Sequence, residues 1–173
     1  MYKKILLATD GSSHIDRAAS IIIGFYKKWG SKIVIFHSIK HMLEKVSPPS
    51  HGINVPYTSE AYFTSTPTSN PVLAKDEENP NVMRLSEQEV SRIGESILEE
   101  KKVIFDELHV PVKTRLVLND YPEEYILRKS KEKNYDLIVL GVKGVHSTLS
   151  QIFLGSVADH ALKNATCDVL VIR

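Results

Sequence analysis

A glycine-rich run near the C-terminal end of this chain has the residue types and the spacing that bind phosphate. The run comprises Gly141, Gly144, Gly155, Ser156 and Val157. Glycine lets a backbone approach a ligand closely and turn its amides inward, and a helix N-terminus that follows attracts an anion. The pattern predicts a phosphate site, although an ordinary tight turn followed by a helix start would show the same glycines.

Two polar residues, Asp10 and Ser38, each follow a short apolar run. Ionised Asp10 only accepts hydrogen bonds, so it suits a ribose hydroxyl or a metal-bound water and would repel a phosphate. It is also a candidate N-cap for the first helix, together with Ser12 and Ser13. The Ser156 hydroxyl and Lys143 are further candidates for phosphate contacts.

Apolar patterns typical of strands and of helices alternate along the chain, and these candidate residues lie between them. Short apolar runs predict strands at residues 5–9, 33–36, 112–118, 136–140 and 169–172. Helical spacing of apolar residues predicts helices at residues 15–29, 86–108, 120–133 and 156–164, with Ser86 opening a capping box and Asp120 as an N-cap. Strands that alternate with helices predict an α/β fold with a parallel, doubly wound sheet.

The carboxyl ends of the strands are the expected place for a ligand. In an open α/β sheet, ligands bind beyond these ends, at the point where the strand order reverses. If the first and fourth strands are neighbours there, Asp10 and the glycine-rich run face one crevice. The lysine and hydroxyl of a P-loop and the three glycines of a dinucleotide fingerprint are both missing, which disfavours kinase-like and dehydrogenase-like functions.

Length and composition narrow the class of protein. The 173 residues fit a single domain over residues 1–173, with a Pro/Ser/Thr-rich insertion at about 43–84 that holds six of the eight prolines. With 22 basic and 21 acidic side chains, the charge balance predicts no nucleic-acid partner. No apolar run approaches the roughly 20 residues of a membrane span, and the single cysteine, Cys167, suits a reducing cytoplasm.

Several segments resemble the universal stress protein family, in its ATP-binding branch. They are YKKILLATD at 2–10, FHS at 36–38, DLIVLG at 136–141, LGSV at 154–157 and CDVLVI at 167–172. The resemblance covers residues 1–38 and about 86–173 and leaves the insertion outside. It implies a five-stranded sheet of order 3-2-1-4-5 with helices on both faces, as in adenine-nucleotide alpha-hydrolase-like folds.

The resemblance also implies a ligand and roles for individual residues. The ligand is ATP, with Mg²⁺ or Mn²⁺ bound mainly by phosphate oxygens rather than by protein ligands. The nucleoside would be bordered by Ala8, Thr9, Asp10, Ser38 (through its backbone, at adenine), Leu140 and Gly141. The phosphates would be held by Gly144, Gly155, Ser156 and Val157. A homodimer would form through the last strand, at Val169, Leu170, Val171 and Ile172.

One spacing departs from the family pattern. Ten residues separate Gly144 from Gly155, where the family has nine. The extra residue can be absorbed as a bulge, or it can displace one set of amides from the phosphates.

No set of catalytic residues is evident, because phosphoryl transfer needs a positioned nucleophile, a metal and charge stabilisation. His37 is expected to be a core histidine, and His14 and His146 have no identifiable orienting partner. The resemblance therefore implies an ATP-binding regulatory module of the stress response, acting with an unidentified protein partner. A slow ATP hydrolase and a nucleotide-free dimeric interaction protein are the alternatives.

Overall fold

The computed structural model describes residues 1–12, 14–46, 74–75, 83–132, 135–142 and 154–173. The strands in these ranges are β1 (Lys4–Ala8), β2 (Lys32–Ser38), β3 (Ala74–Lys75), β4 (Met83–Arg84), β5 (Val112–Val117), β6 (Leu137–Gly141) and β7 (Asp168–Ile172). The helices are α1 (His14–Trp29), α2 (Lys40–Val46), α3 (Glu87–Asp106), α4 (Pro122–Lys131) and α5 (Ser156–Asn164). No helix within these ranges is long and apolar enough to cross a membrane.

The main sheet is parallel and has five strands in the order β5-β2-β1-β6-β7. Counted along the chain within this sheet, the order is 3-2-1-4-5, and the predicted fold class is confirmed. Leu7 of β1 lies beside Ile35 of β2 on one side and Val139 of β6 on the other. The strand order therefore reverses between β1 and β6.

Both faces of this sheet are buried, which explains the continuous apolar runs in its central strands. Successive side chains of a strand point to opposite faces. Ile5 and Leu7 pack in one core with residues of α1 and α3, while Leu6 packs in a second core with residues of α4 and α5. The helices are thus divided between the two faces, as a doubly wound sheet requires.

Helix α3 begins at the predicted capping box and approaches the sheet closely. The Ser86 hydroxyl accepts from the Glu89 amide at 3.2 Å, and the Glu89 carboxylate accepts from the Ser86 amide at 2.6 Å. Farther along, a Cβ on Gly94 would lie 2.5 Å from Leu116 Cδ1 and 2.7 Å from Ile39 Cγ2. Glycine at this position lets α3 pack directly on the ends of β2 and β5.

The N-cap of α4 is Tyr121, so the prediction of Asp120 as N-cap is wrong by one residue. The Tyr121 amide donates to the Glu124 carboxylate at 3.0 Å, and Pro122 is the first helical residue. The Asp120 carboxylate instead pairs with Arg128 on the same helix. The Asp120 carboxylate, which the sequence predicts as the cap, is therefore used in an ion pair with a residue eight positions later.

Helix α2 was not predicted, and its residues 43–46 lie in the segment assigned to the insertion. The Met42 and Leu43 amides both donate to the Ile39 carbonyl at 2.9 Å, so the helix begins directly after β2. Seven residues are too few for a helical period to be recognised. Within the same insertion, β3 and β4 pair antiparallel, with Ala74 beside Arg84.

Side-chain hydrogen bonds and an aromatic cluster lie at the amino ends of the strands. Asp136 accepts from the Lys3 and Lys4 amides at 2.8 and 2.9 Å. The Tyr2 ring lies 5.6 Å from Phe25 and 6.1 Å from Trp29, measured between ring centroids. This cluster lies at the end of the molecule opposite to the carboxyl ends of the strands.

Candidate functional site

The predicted site residues of β1 and β6 meet at the point where the strand order reverses. The β1–β6 register reaches Leu7 beside Val139, and one step farther it brings Ala8 level with Leu140. Gly141 ends β6 beside Ile172 of β7. The carboxyl ends of β1, β6 and β7 therefore lie side by side at the reversal of strand order, where the sequence predicts a ligand crevice.

A tight turn at residues 9–12 lies on the β1 side of this predicted crevice. The Gly11 amide donates to Thr9 Oγ1 at 3.1 Å, and the Ser12 amide donates to Asp10 Oδ1 at 3.0 Å. Gly11 has a φ of +89°, in the left-handed region that favours glycine. The Asp10 carboxylate therefore caps this turn, and α1 begins two residues after it, at His14.

His37 is a buried core histidine whose ring is hydrogen-bonded to the first residue of this turn. Its Nδ1 lies 2.8 Å from the Thr9 carbonyl oxygen, to which it donates, and only 7% of the residue is exposed. Burial lowers the pKa of His37 below its usual 6.5, against the opposing effects of the Thr9 hydrogen bond and the Asp10 charge. A neutral ring held in this way is not placed to act as a base on a ligand.

Ser38 ends β2 at the edge of the crevice, and its side chain is already engaged. The Ser38 hydroxyl donates to the Asp120 carbonyl oxygen at 2.6 Å, across to the start of α4. A ligand contact at Ser38 would therefore fall to its backbone. The family resemblance implies this same kind of contact.

The N-terminus of α5 lies on the β6 side of the predicted crevice. The Gly155 amide donates to the Val142 carbonyl at 2.7 Å, and the Val142 amide donates to the Ile172 carbonyl at 2.8 Å. The Gly155 amide is thus occupied in this structure. The amides of Ser156 and Val157 belong to the first turn of α5, where N–H groups have no partner within the helix.

Gly144 lies outside the described residues, as do Lys143 and His146. The hydrogen bond from Gly155 to Val142 nevertheless bears on the longer spacer, because it fixes the two ends of the segment that contains Gly144. The extra residue falls between these fixed ends. It does not separate α5 from β6.

A cluster between α2 and α4, next to Ser38, was missed by the sequence analysis. Lys40 Nζ lies 4.0 Å above the centroid of the Tyr121 ring, and Tyr121 donates its hydroxyl proton to the Glu44 carboxylate. The hydrogen bond to Glu44 raises the pKa of Tyr121. The sequence signal for this cluster was Tyr121, an aromatic residue directly before Pro122. Its partners Lys40 and Glu44 lie about eighty positions earlier in the chain.

Two features of the described residues limit where a ligand could bind. No group of three or more His, Cys, Asp or Glu side chains in these ranges could hold a metal ion. A shallow cavity of about 460 Å³ lies along α4, lined by Glu124, Leu127, Arg128, Lys131 and Glu132. None of these five residues is a predicted site residue, and the cavity is formed by one helix rather than by strand ends.

The fold is that of an α/β protein with a parallel sheet whose strand order reverses between β1 and β6. The model of the universal stress protein family matches residues 63–173. The chain therefore belongs to the universal stress protein family.

Related sequences extend over the whole chain. A universal stress protein of Methanocaldococcus jannaschii is 28% identical over 173 residues, which cover 100% of this chain and 83% of the relative. The universal stress protein YxiE of Bacillus subtilis is also 28% identical, with 100% of both chains covered.

Solved structures of other members have the same fold. A universal stress protein from Archaeoglobus fulgidus in complex with dAMP has a TM-score of 0.60 at 16% identity and covers 99% of this chain and 98% of that one. A family protein from Arabidopsis thaliana with AMP bound has a TM-score of 0.52 at 15% identity, covering 98% and 90% of the two chains. A universal stress protein in complex with cAMP has a TM-score of 0.55 at 17% identity, covering 99% and 97%.

Proposed function

We propose that this chain binds ATP and acts as a nucleotide-dependent regulatory module of the stress response. The observation that supports this most strongly is the meeting of the Thr9–Ser12 turn, the end of β6 and the N-terminus of α5 at the reversal of strand order. Adenine mononucleotides in the related structures support the same ligand class.

In this proposal the nucleoside lies against the ends of β1, β2 and β6. Asp10 accepts a hydrogen bond from a ribose hydroxyl, and the Ser38 backbone contacts adenine. Ala8, Thr9, Leu140 and Gly141 line the same part of the crevice. This division follows charge, since Asp10 would repel a phosphate placed beside it.

The phosphates lie at the N-terminus of α5, where the helix dipole and the amides of Ser156 and Val157 attract negative charge. Gly144 would add a contact from the preceding segment, and Gly155 provides close backbone approach. Mg²⁺ or Mn²⁺ would be held mainly by phosphate oxygens. Bound in this way, the metal neutralises phosphate charge.

We also propose a homodimer through β7, in a single domain that carries the insertion at 43–84. Among the described strands β7 is an edge strand that pairs with β6 alone, and its Val169, Leu170 and Val171 are partly exposed. An apolar edge strand is a ready surface for pairing with a second chain. A single cysteine suits the cytoplasm as the compartment.

Thermal stability with and without MgATP tests the proposed ligand. ATP that binds the folded state raises the melting temperature by mass action. We expect Gly155→Val to lose most of this shift, because its side chain enters the phosphate region. Gly24→Val is the matched control, since Gly24 lies on α1 with no atom within 4 Å of an added Cβ. Equal ATP shifts in wild type and Gly155→Val would show that the phosphate assignment is wrong.

Mass spectrometry of gently purified protein distinguishes the ATP-binding module from a nucleotide-free interaction protein. We expect an adenine nucleotide to copurify and to be lost from the Gly155→Val variant. Protein that carries no nucleotide and shows no thermal shift with MgATP would exclude the proposed function.

A further inference from the structure

The pairing of β1 with β2 stops two residues before β2 ends. The last paired residues are Ala8 and Phe36, and the Thr9 amide donates to the Phe36 carbonyl at 3.0 Å. In a parallel ladder that continued, the Thr9 carbonyl would next accept from the Ser38 amide. It accepts from the His37 ring instead, with Nδ1 at 2.8 Å.

The Ser38 amide points towards this interrupted step. Ile39, the next residue, donates its amide to the Val117 carbonyl at 3.0 Å, on the β5 side. Adjacent N–H groups of an extended strand point to opposite sides. The Ser38 N–H is therefore directed to the β1 side, where the Thr9 carbonyl is already occupied.

The His37 ring is buried, and its Nδ1 is hydrogen-bonded. Its Nε2 is buried and has no hydrogen-bond partner among the residues that the structure describes. Helix α3 covers the ring, because a Cβ on Gly94 would lie 3.5 Å from His37 Cδ2. Since Nδ1 donates to a carbonyl, the neutral ring carries its proton on Nδ1.

We propose that His37 is a positioning residue of the nucleotide site, which occupies the Thr9 carbonyl and thereby keeps the Ser38 N–H available to a ring-nitrogen acceptor of the purine base. This inference rests on the proposed function. Without the ring, the Thr9 carbonyl would capture the Ser38 amide, and the strand pairing would extend across the place where the base binds.

Two substitutions distinguish the effect of the Nδ1–H donor from the effect of the volume of the ring. His37→Leu removes the donor, whereas His37→Asn keeps a side-chain N–H near the position of Nδ1. Ile35→Val is the matched packing control, because Ile35 is buried on the same face of β2 two residues earlier. The measurements are amide hydrogen exchange of Ser38 without ligand, by NMR, and the Kd for MgATP by calorimetry.

In His37→Leu we expect the Ser38 amide to exchange about tenfold more slowly than in wild type, and the Kd for MgATP to rise about tenfold, as for the gain or loss of one buried hydrogen bond. His37→Asn and Ile35→Val should stay near wild type in both measurements. Unchanged Ser38 exchange and unchanged affinity in His37→Leu would overturn the inference while leaving ATP binding intact.

The ligand-free measurement keeps this result separate from the proposed function. Wild-type protein that binds no MgATP would refute ATP binding, and with it the nucleotide role of His37. If His37→Leu does not fold, the NMR chemical shifts of the His37 ring nitrogens in the wild type provide the test. We expect the Nδ1–H tautomer and a change in its signal on adding MgATP, and the Nε2–H tautomer would overturn the inference.

Discussion

The two ends of the same sheet differ in where side chains bond the backbone. At the amino ends, the Asp136 carboxylate accepts from the Lys3 and Lys4 amides, at the start of β1. At the carboxyl ends, the Thr9 and Asp10 side chains accept from amides in the turn beyond β1. The His37 and Ser38 side chains donate there to carbonyls. In the proposal above, this second arrangement leaves the Ser38 amide for a ligand.

The largest expected effect concerns the packing beneath the carboxyl ends. In Gly94→Val the added side chain would overlap Leu116 and Ile39, and we expect the free energy of unfolding to fall by about 2–3 kcal/mol. Displacement of α3 from His37 should also weaken MgATP binding. Urea denaturation and calorimetry measure the two effects. Gly24→Val, with open space around its Cβ, should change stability by no more than about 1 kcal/mol, and equal losses in both variants would contradict the close approach of α3.

A smaller effect is expected at the amino ends. Asp136→Ala leaves the Lys3 and Lys4 amides without their acceptor, so we expect a loss of about 1–2 kcal/mol in the free energy of unfolding. The Kd of the folded variant for MgATP should not change, because the site lies at the other end of the strands. Asp106→Ala removes only an exposed ion pair with Lys102 and serves as the control. Weakened nucleotide binding in Asp136→Ala would contradict the independence of the two ends.

Ser38→Ala tests the second donor of the carboxyl ends. Loss of the hydrogen bond to the Asp120 carbonyl should lower the free energy of unfolding by about 1 kcal/mol. The Kd for MgATP should change less than about threefold, because the proposed contact uses the backbone. Ser20→Ala, which removes an exposed hydroxyl bonded to the Asp16 carbonyl of its own helix, is the control. A much larger loss of affinity would show that the hydroxyl itself binds the ligand.

The smallest effect is a pH dependence of stability that originates at the carboxyl ends. Burial lowers the pKa of His37 in the folded state below the usual 6.5, so the unfolded state binds more protons near that pH. The contribution of His37 is therefore present above about pH 6.5 and is lost as the pH falls through the folded-state pKa. Unfolding in urea at several pH values should show a shallower acid slope for His37→Asn than for wild type. Identical slopes would contradict the burial of a neutral ring.

The main sheet could be predicted from the sequence because its central strands are buried on both faces and read as unbroken apolar runs. The contacts of the site could not. The bond between His37 and Thr9 joins residues 28 positions apart, and it forms only after β1 and β2 have paired. The Gly155 amide likewise appeared to be a phosphate donor, until the fold brought Val142 within 2.7 Å of it.

The aromatic cluster at the amino ends provides a built-in optical probe. Trp29 is the single tryptophan of the chain and stacks on Phe25 with ring centroids 5.2 Å apart. Its fluorescence therefore reports the integrity of the amino ends alone. Because the proposed nucleotide site lies beyond the opposite ends of the strands, titration with MgATP should leave this emission almost unchanged, while unfolding should alter it. Tryptophan emission can thus report loss of structure independently of MgATP binding in every variant described above.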